Sequence, residues 1–174
     1  MKLMHPIVPL LQLLHLLRRV EGRKKLQKIV HVLQERGVPF PERFEYSYYG
    51  MYSAQLRHEV ERLEDEKLVN ERQARAGMNV CYSLEATAEL GTLINELSGP
   101  ADLPWADTAR HLNTLSAQQL EGMSTILFLR ECGLEGEALR KRLLKLKPHL
   151  GQIYESCLRE VQALPDFRTA CVAP

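Results

Sequence analysis

Phe44-Glu45-Tyr46-Ser47-Tyr48-Tyr49-Gly50-Met51-Tyr52-Ser53 concentrates five of the chain's eleven aromatic residues in nine positions. Within it Phe44, Tyr46 and Tyr48 alternate with Glu45 and Ser47 in the two-residue period of a strand, and Gly50 breaks the run. Ser53 has the chemistry of a helix N-cap. Upstream, Leu26, Ile29, Val30 and Leu33 mark one face of an amphipathic helix over residues 23–36, which Gly37 ends. Downstream, Leu56, Val60 and Leu63 form the inner face of a second helix. Leu68 to Gln73 and Met78 to Leu84 then read as strands joined by Ala74-Arg75-Ala76-Gly77, where Gly77 supplies the positive φ of a hairpin turn. Helix, short strand, helix and two-stranded ribbon is the element order of a winged helix-turn-helix.

Working outward, residues 1–20 read as a helix that is apolar nearly all round, with a polar stripe only through His5, Gln12, His15 and Arg19. Leu10, Leu11, Leu13, Leu14, Leu16 and Leu17 cannot all face one partner element. The helix is therefore either a core helix covered by the C-terminal part or the seam of a homodimer. A homodimer through this first helix is the favoured expectation, because the C-terminal helices carry stripes able to face one another. After the ribbon, residues 85–97 continue as a helix with Leu90, Leu93, Ile94 and Leu97 on one face, and Ser98-Gly99-Pro100, extended to Pro104, reads as a linker. Ser116 and Gln119 have capping-box spacing ahead of Leu120, Met123 and Leu127, closed by Gly133. Another helix covers residues 135–146, and a last one carries Leu150, Ile153, Tyr154, Cys157, Leu158 and Val161 inward and stops at Pro165, beyond which fraying is expected. The expected organisation is a winged-helix-like domain over 1–97, a linker over 98–104 and a C-terminal helical bundle over 105–174 packed on it. In class it is mainly α with a small antiparallel β-hairpin.

Composition narrows the functions. A chain of 174 residues with 45% hydrophobic content builds an ordinary core. Its 23 Lys and Arg nearly balance 22 Asp and Glu, so no global field draws it to nucleic acid or an anionic membrane. Cys81, Cys132, Cys157 and Cys171 form no C-x-x-C pair and have no companion His at zinc-finger spacing, which implies neither a metal site nor a disulfide framework, but reduced thiols in a cytoplasm. The apolar start from Ile7 to Leu17 lacks a small-residue cleavage site and is too short, and too interrupted by Pro9, Gln12 and His15, to span a bilayer.

Any attraction must be local. Tyr49 and Tyr52 flank the Gly50 turn and are expected at the surface, where a rigid ring with one polar tip anchors interfaces or stacks on bases; Phe44, Tyr46 and Tyr48 are expected to pack the strand on the helices. Arg18, Arg19, Arg23, Lys24, Lys25 and Lys28 suit either a phosphate backbone or a solvated helix face, and Arg140, Lys141, Arg142, Lys145 and Lys147 form a second basic cluster. Glu59, Glu61, Glu64, Asp65 and Glu66 set the helix that would read DNA against its phosphates. The candidate sets are thus Tyr49, Tyr52, Glu59, Glu61, Glu64 and Asp65 for a protein partner, and Arg23, Lys24, Lys25, Arg57, Arg72 and Arg75 for nucleic acid. His58-Glu59 lacks the second His of a metalloprotease helix, Gly22-Arg23-Lys24-Lys25 is no phosphate loop, and no nucleophile sits in a recognised elbow. No enzyme, cofactor or metal is expected.

Lys25-Leu26-Gln27-Lys28, Phe44-Glu45-Tyr46, Tyr48-Tyr49-Gly50-Met51-Tyr52-Ser53, Ser124-Thr125-Ile126-Leu127-Phe128-Leu129 and Leu146-Lys147-Pro148-His149, in that order, resemble the YwgA-like family of small uncharacterised prokaryotic proteins. The resemblance covers most of the chain and implies no active site. The first half also resembles the Panacea domain, through the Lys-Leu-Gln-Lys helix and the Tyr-Gly turn, which implies an association with antitoxins that act by contact. Met51 departs from the Pro that the resemblance leads one to expect after Gly50. The expected function is a non-enzymatic protein-interaction or regulatory module, antitoxin-like in manner, with a DNA-binding transcriptional regulator as the alternative.

Overall fold

The structure, a computed structural model, describes residues 5–171. Met1 to Met4 of the expected first helix and the last three residues of the tail lie outside the described residues. The chain is mainly helical with a small antiparallel hairpin. Helix α1 (Val8–Leu17) leads into a two-residue strand, β1 (Arg19–Val20), and then α2 (Arg23–Glu35). A small hairpin, β2 (Glu45–Ser47) and β3 (Gly50–Tyr52), precedes α3 (Ala54–Asp65). The ribbon β4 (Val69–Ala76) and β5 (Asn79–Ala86) is followed by α4 (Ala88–Leu97), α5 (Ala106–Thr114), α6 (Ala117–Glu131), α7 (Gly136–Leu146), a 3-10 helix (Pro148–Ile153) and α8 (Tyr154–Ala163).

Three helix starts, those of α3, α4 and α6, are set by side-chain caps. Ser53 Oγ accepts from Leu56 N at 3.1 Å, Thr87 caps α4, and Ser116 and Gln119 close a reciprocal capping box on α6. Helix α2 is buried continuously from Lys25 to Leu33, because α6 covers one side of it while α5, β3 and the sheet cover the rest. Gly122 on α6 permits that helix to meet α8 closely: a Cβ there would stand 2.5 Å from Cys157 Sγ. One contiguous core runs from Leu10 to Phe167 and joins the N-terminal elements to the C-terminal helices. Its large aliphatic side chains each contribute about 1.5–3 kcal/mol on burial.

Four expectations need correction. Among the described residues the first helix carries no excess apolar surface: Leu10, Leu11, Leu13 and Leu14 are buried and Leu16 and Leu17 half-buried, with α4 and α5 packed on α1. It is a core helix, and the ground for a dimer seam through it is gone. The strand expected between α2 and α3 is instead a hairpin turning at Tyr48-Tyr49, with Gly50 (φ +81°) opening its second strand rather than breaking the first. The strand that completes the ribbon's sheet is β1, which pairs with β5 in the order β1-β5-β4. The tail after Pro165 is anchored, since Phe167 is buried and its N–H donates to Arg36 O at 2.7 Å while the Arg36 guanidinium holds the carbonyls of Leu164 and Pro165.

Candidate functional site

The β2–β3 hairpin stands at the mouth of a groove of about 580 Å³ between the start of α2 and the N-terminal half of α3. Its walls include Tyr48, Tyr49 and Tyr52, its floor Leu26, Leu56 and Val60, and its rim Arg23, Lys24 and Arg57. Tyr48 is 90% exposed and Tyr49 56%, their rings meeting edge to face at 5.2 Å, with Lys24 Nζ 4.8 Å from the Tyr49 ring centre. Tyr48 thus belongs to the surface and not, as the alternation implies, to the packing. A turn residue is released from the strand's two-face rule. Tyr46 does pack, stacked on Phe128 at 4.8 Å, and Phe44 lies against His31.

What holds this turn in place is polar and buried. Lys28 Nζ donates to Tyr49 O at 2.9 Å and Met51 O at 2.6 Å. Gln27 clamps the residue after the hairpin in both directions, donating to Ser53 O at 2.8 Å and accepting from Ser53 N at 2.9 Å. Lys147 reaches Tyr48 O and pairs with Glu121 at 2.9 Å, and His149 meets the same carboxylate. Ser124 and His31 are joined at 2.7 Å. The motifs Lys25 to Lys28, Phe44 to Ser53, Ser124 to Leu129 and Leu146 to His149, separate in sequence, therefore converge on one small hairpin. Burial lowers Lys28 to about 8, with Lys147 and Lys24 adding to the shift and Glu121 opposing it.

The two candidate sets turn out to be entangled. Arg23, assigned to nucleic acid, pairs with Glu64 at 2.7 Å, Glu71 at 3.1 Å and Glu61 at 3.7 Å, so the cation and two of the carboxylates assigned to a protein partner neutralise one another. Lys25 is buried and donates to Asn113 O at 2.6 Å, which removes it from any phosphate surface. Glu59 is turned toward buried Glu42, and both Glu42 oxygens and Glu59 Oε2 lack a hydrogen-bond partner. Burial first, and then the Glu59 carboxyl, push Glu42 up to about 8, well above the usual carboxylate range. Asp65 is exposed at the end of α3, Arg72 pairs with Glu85 at 2.8 Å, and Arg75 stands near the tip of the ribbon opposite Val80. Of the named residues, Tyr49, Tyr52, Arg23, Lys24 and Arg57 line the groove together. Lys28 and Lys147, which the sequence offers only as members of two basic clusters, and Gln27, which it offers only within the Lys25 to Lys28 motif, are the side chains that hold the hairpin. The signal of that role is position, for Gln27 and Lys28 interrupt the stripe Leu26, Ile29, Val30.

Ser124, His31 and Glu35 form a chain that resembles a hydrolase triad, with His31 Nε2 at 3.7 Å from Glu35. Ser124 and His31 are each 1% exposed, and burial lowers His31 to about 3, so it is neutral and sealed from substrate. Among the described residues no group of three or more His, Cys, Asp or Glu is placed to hold a metal ion, and no helix is long and apolar enough to cross a membrane.

Over 152 residues the chain is 28% identical to the uncharacterized protein YwgA of Bacillus subtilis (strain 168), a match that takes in 84% of this chain and 88% of that protein. The chain is thus similar to YwgA over most of its length. No family model matches it, and no solved structure does. The match to YwgA takes in most of the chain, whereas the Panacea resemblance finds no counterpart among these comparisons.

Proposed function

We propose that this YwgA-like chain is a non-enzymatic protein-interaction module, an adaptor on a winged-helix-like frame, whose contact surface is the tyrosine tip of the β2–β3 hairpin. The observation that carries this reading is the rigid mounting of two exposed rings. Tyr48 and Tyr49 project from a turn whose carbonyls are held by Lys28 and Lys147, so their ordering cost is met in folding and not in binding. Tyrosines on a fixed mount above an apolar groove have the anatomy of an interface anchor. The acidic face of α3 drops out of the proposed surface, because Arg23 matches Glu61 and Glu64.

The alternative, a DNA-binding regulator, has less support. Lys25 is buried, Arg23 and Arg72 face carboxylates, Arg57 shares Glu61 at 3.8 Å, and among the described residues Lys24, Arg75 and this partly engaged Arg57 are what the set leaves for phosphates. The test is differential capture. Tagged wild type should retain a native protein that the Tyr48→Ala/Tyr49→Ala variant loses and that a Met78→Ser/Tyr82→Thr ribbon variant keeps. Equal capture by all three sinks the tyrosine tip as the surface. Binding of duplex DNA that weakens steeply with salt and fails in Arg57→Ala/Arg75→Ala supports the regulator instead.

A further inference from the structure

We infer that the groove under Tyr49 is a binding site for a small amphipathic organic anion, a flat apolar body carrying one acidic group. Its volume of about 580 Å³ falls in the range of sites that enclose small molecules. The Tyr49 and Tyr52 rings and the Leu26, Leu56 and Val60 floor offer a slot for a planar body, and no acidic residue lines it. Three cations do. The charge of Arg23 is matched by Glu61, Glu64 and Glu71, and Arg57 shares Glu61 with Arg23 and His58. Among the described residues Lys24 pairs with no carboxylate, and its Nζ stands over the π face of Tyr49 at 4.8 Å, at the mouth where an anion would sit. An inorganic anion would leave the apolar floor empty, and a neutral apolar molecule would leave the cations unused. An amphipathic anion uses both.

This site does not depend on the protein-partner reading, so either can fail alone. Anilinonaphthalene sulfonate supplies the planar body with an acid group, and N-phenylnaphthylamine the same rings without it. Titrated against the full chain, the sulfonate should bind at one saturable site with Kd of about 10 μM, well within reach of an apolar slot with one charge contact. Lys24 and Arg57 are both exposed, so Lys24→Glu/Arg57→Glu leaves the core intact. It should weaken the sulfonate about tenfold and the neutral dye less than about twofold. Tyr52→Ala should weaken both dyes, and Met78→Ser on the distant ribbon neither. Absence of saturable sulfonate binding, indifference to the double charge reversal, equal loss of both dyes in it, or loss of binding in Met78→Ser would each overturn the proposal.

Discussion

The β4–β5 ribbon pairs eight residues with eight, from Val69 opposite Ala86 to Ala76 opposite Asn79, whereas β2–β3 pairs three with three. Three-residue strands do not hold by their own ladder. The short hairpin is fixed from beneath, by Lys28 on two turn carbonyls, by the two-way Gln27 clamp on Ser53 and by the Tyr46–Phe128 stack. The ribbon is the reverse case. From Asn70 to Tyr82 it is exposed on both faces, including Met78, Val80 and Tyr82, and near its base it is tied to the body by the Glu71–Arg23 pair and by β1, which pairs with β5. Exposed aromatic side chains therefore occur on two mounts of opposite stiffness. The stiff one is where binding loses least entropy.

The harshest way to break this contrast is Lys28→Met. It keeps most of the volume but leaves the Tyr49 and Met51 carbonyls without their donor, and should cost about 3 kcal/mol in urea unfolding. A cost below about 1 kcal/mol would mean that the turn is not held by Lys28. Gly50→Ala comes next. Its φ of +81° is unfavourable for a side chain, and its Cβ would stand 3.3 Å from Lys28 Nζ, so a loss of about 1–2 kcal/mol is expected from the same assay.

Glu42 sharpens the contrast through pH, since it lies on the connection that enters β2. Its folded pKa of about 8 stands above the ordinary 4.5, so its contribution is complete below pH 4.5 and is lost as pH rises through about 8. Glu42→Gln should flatten that decline and, discounted for solvent screening, stabilise the chain by on the order of 1 kcal/mol at pH 9. Unchanged pH profiles in thermal melts would remove the proton from Glu42. His31 works in the opposite direction, its contribution being present above 6.5 and lost as pH falls toward about 3. The smallest effect belongs to the ribbon, where Met78→Ser/Tyr82→Thr should stay within about 0.5 kcal/mol of wild type because both side chains are exposed.

Much of the frame was legible where local chemistry decides it. The stripe Leu26, Ile29, Val30 and Leu33, the Ser53 cap, the Ser116 and Gln119 box and the Gly77 turn each act within a few residues. What stayed hidden is set across distance. Arg19-Val20 is a strand only because β5 lies beside it, and Phe167 is anchored by Arg36, far away in sequence. For the site, the aromatic cluster pointed to the right place. The roles around it did not follow, because a lysine reads as surface until two carbonyls of a distant turn meet it, and because Arg23 and Glu64 look like members of rival surfaces until α2 and α3 bring them to 2.7 Å.

Native-state hydrogen exchange on the unmodified chain separates the two mounts, by comparing the Ser53 amide, donated to Gln27, with the ladder amides near the ribbon tip at Ala76 and Asn79. A hairpin locked from beneath should open only with the whole molecule, so Ser53 should exchange at the free energy of global unfolding while the tip amides exchange through far cheaper local openings. Exchange of Ser53 as fast as the tip, or a ribbon protected to the global limit with Ser53 open, would contradict that contrast.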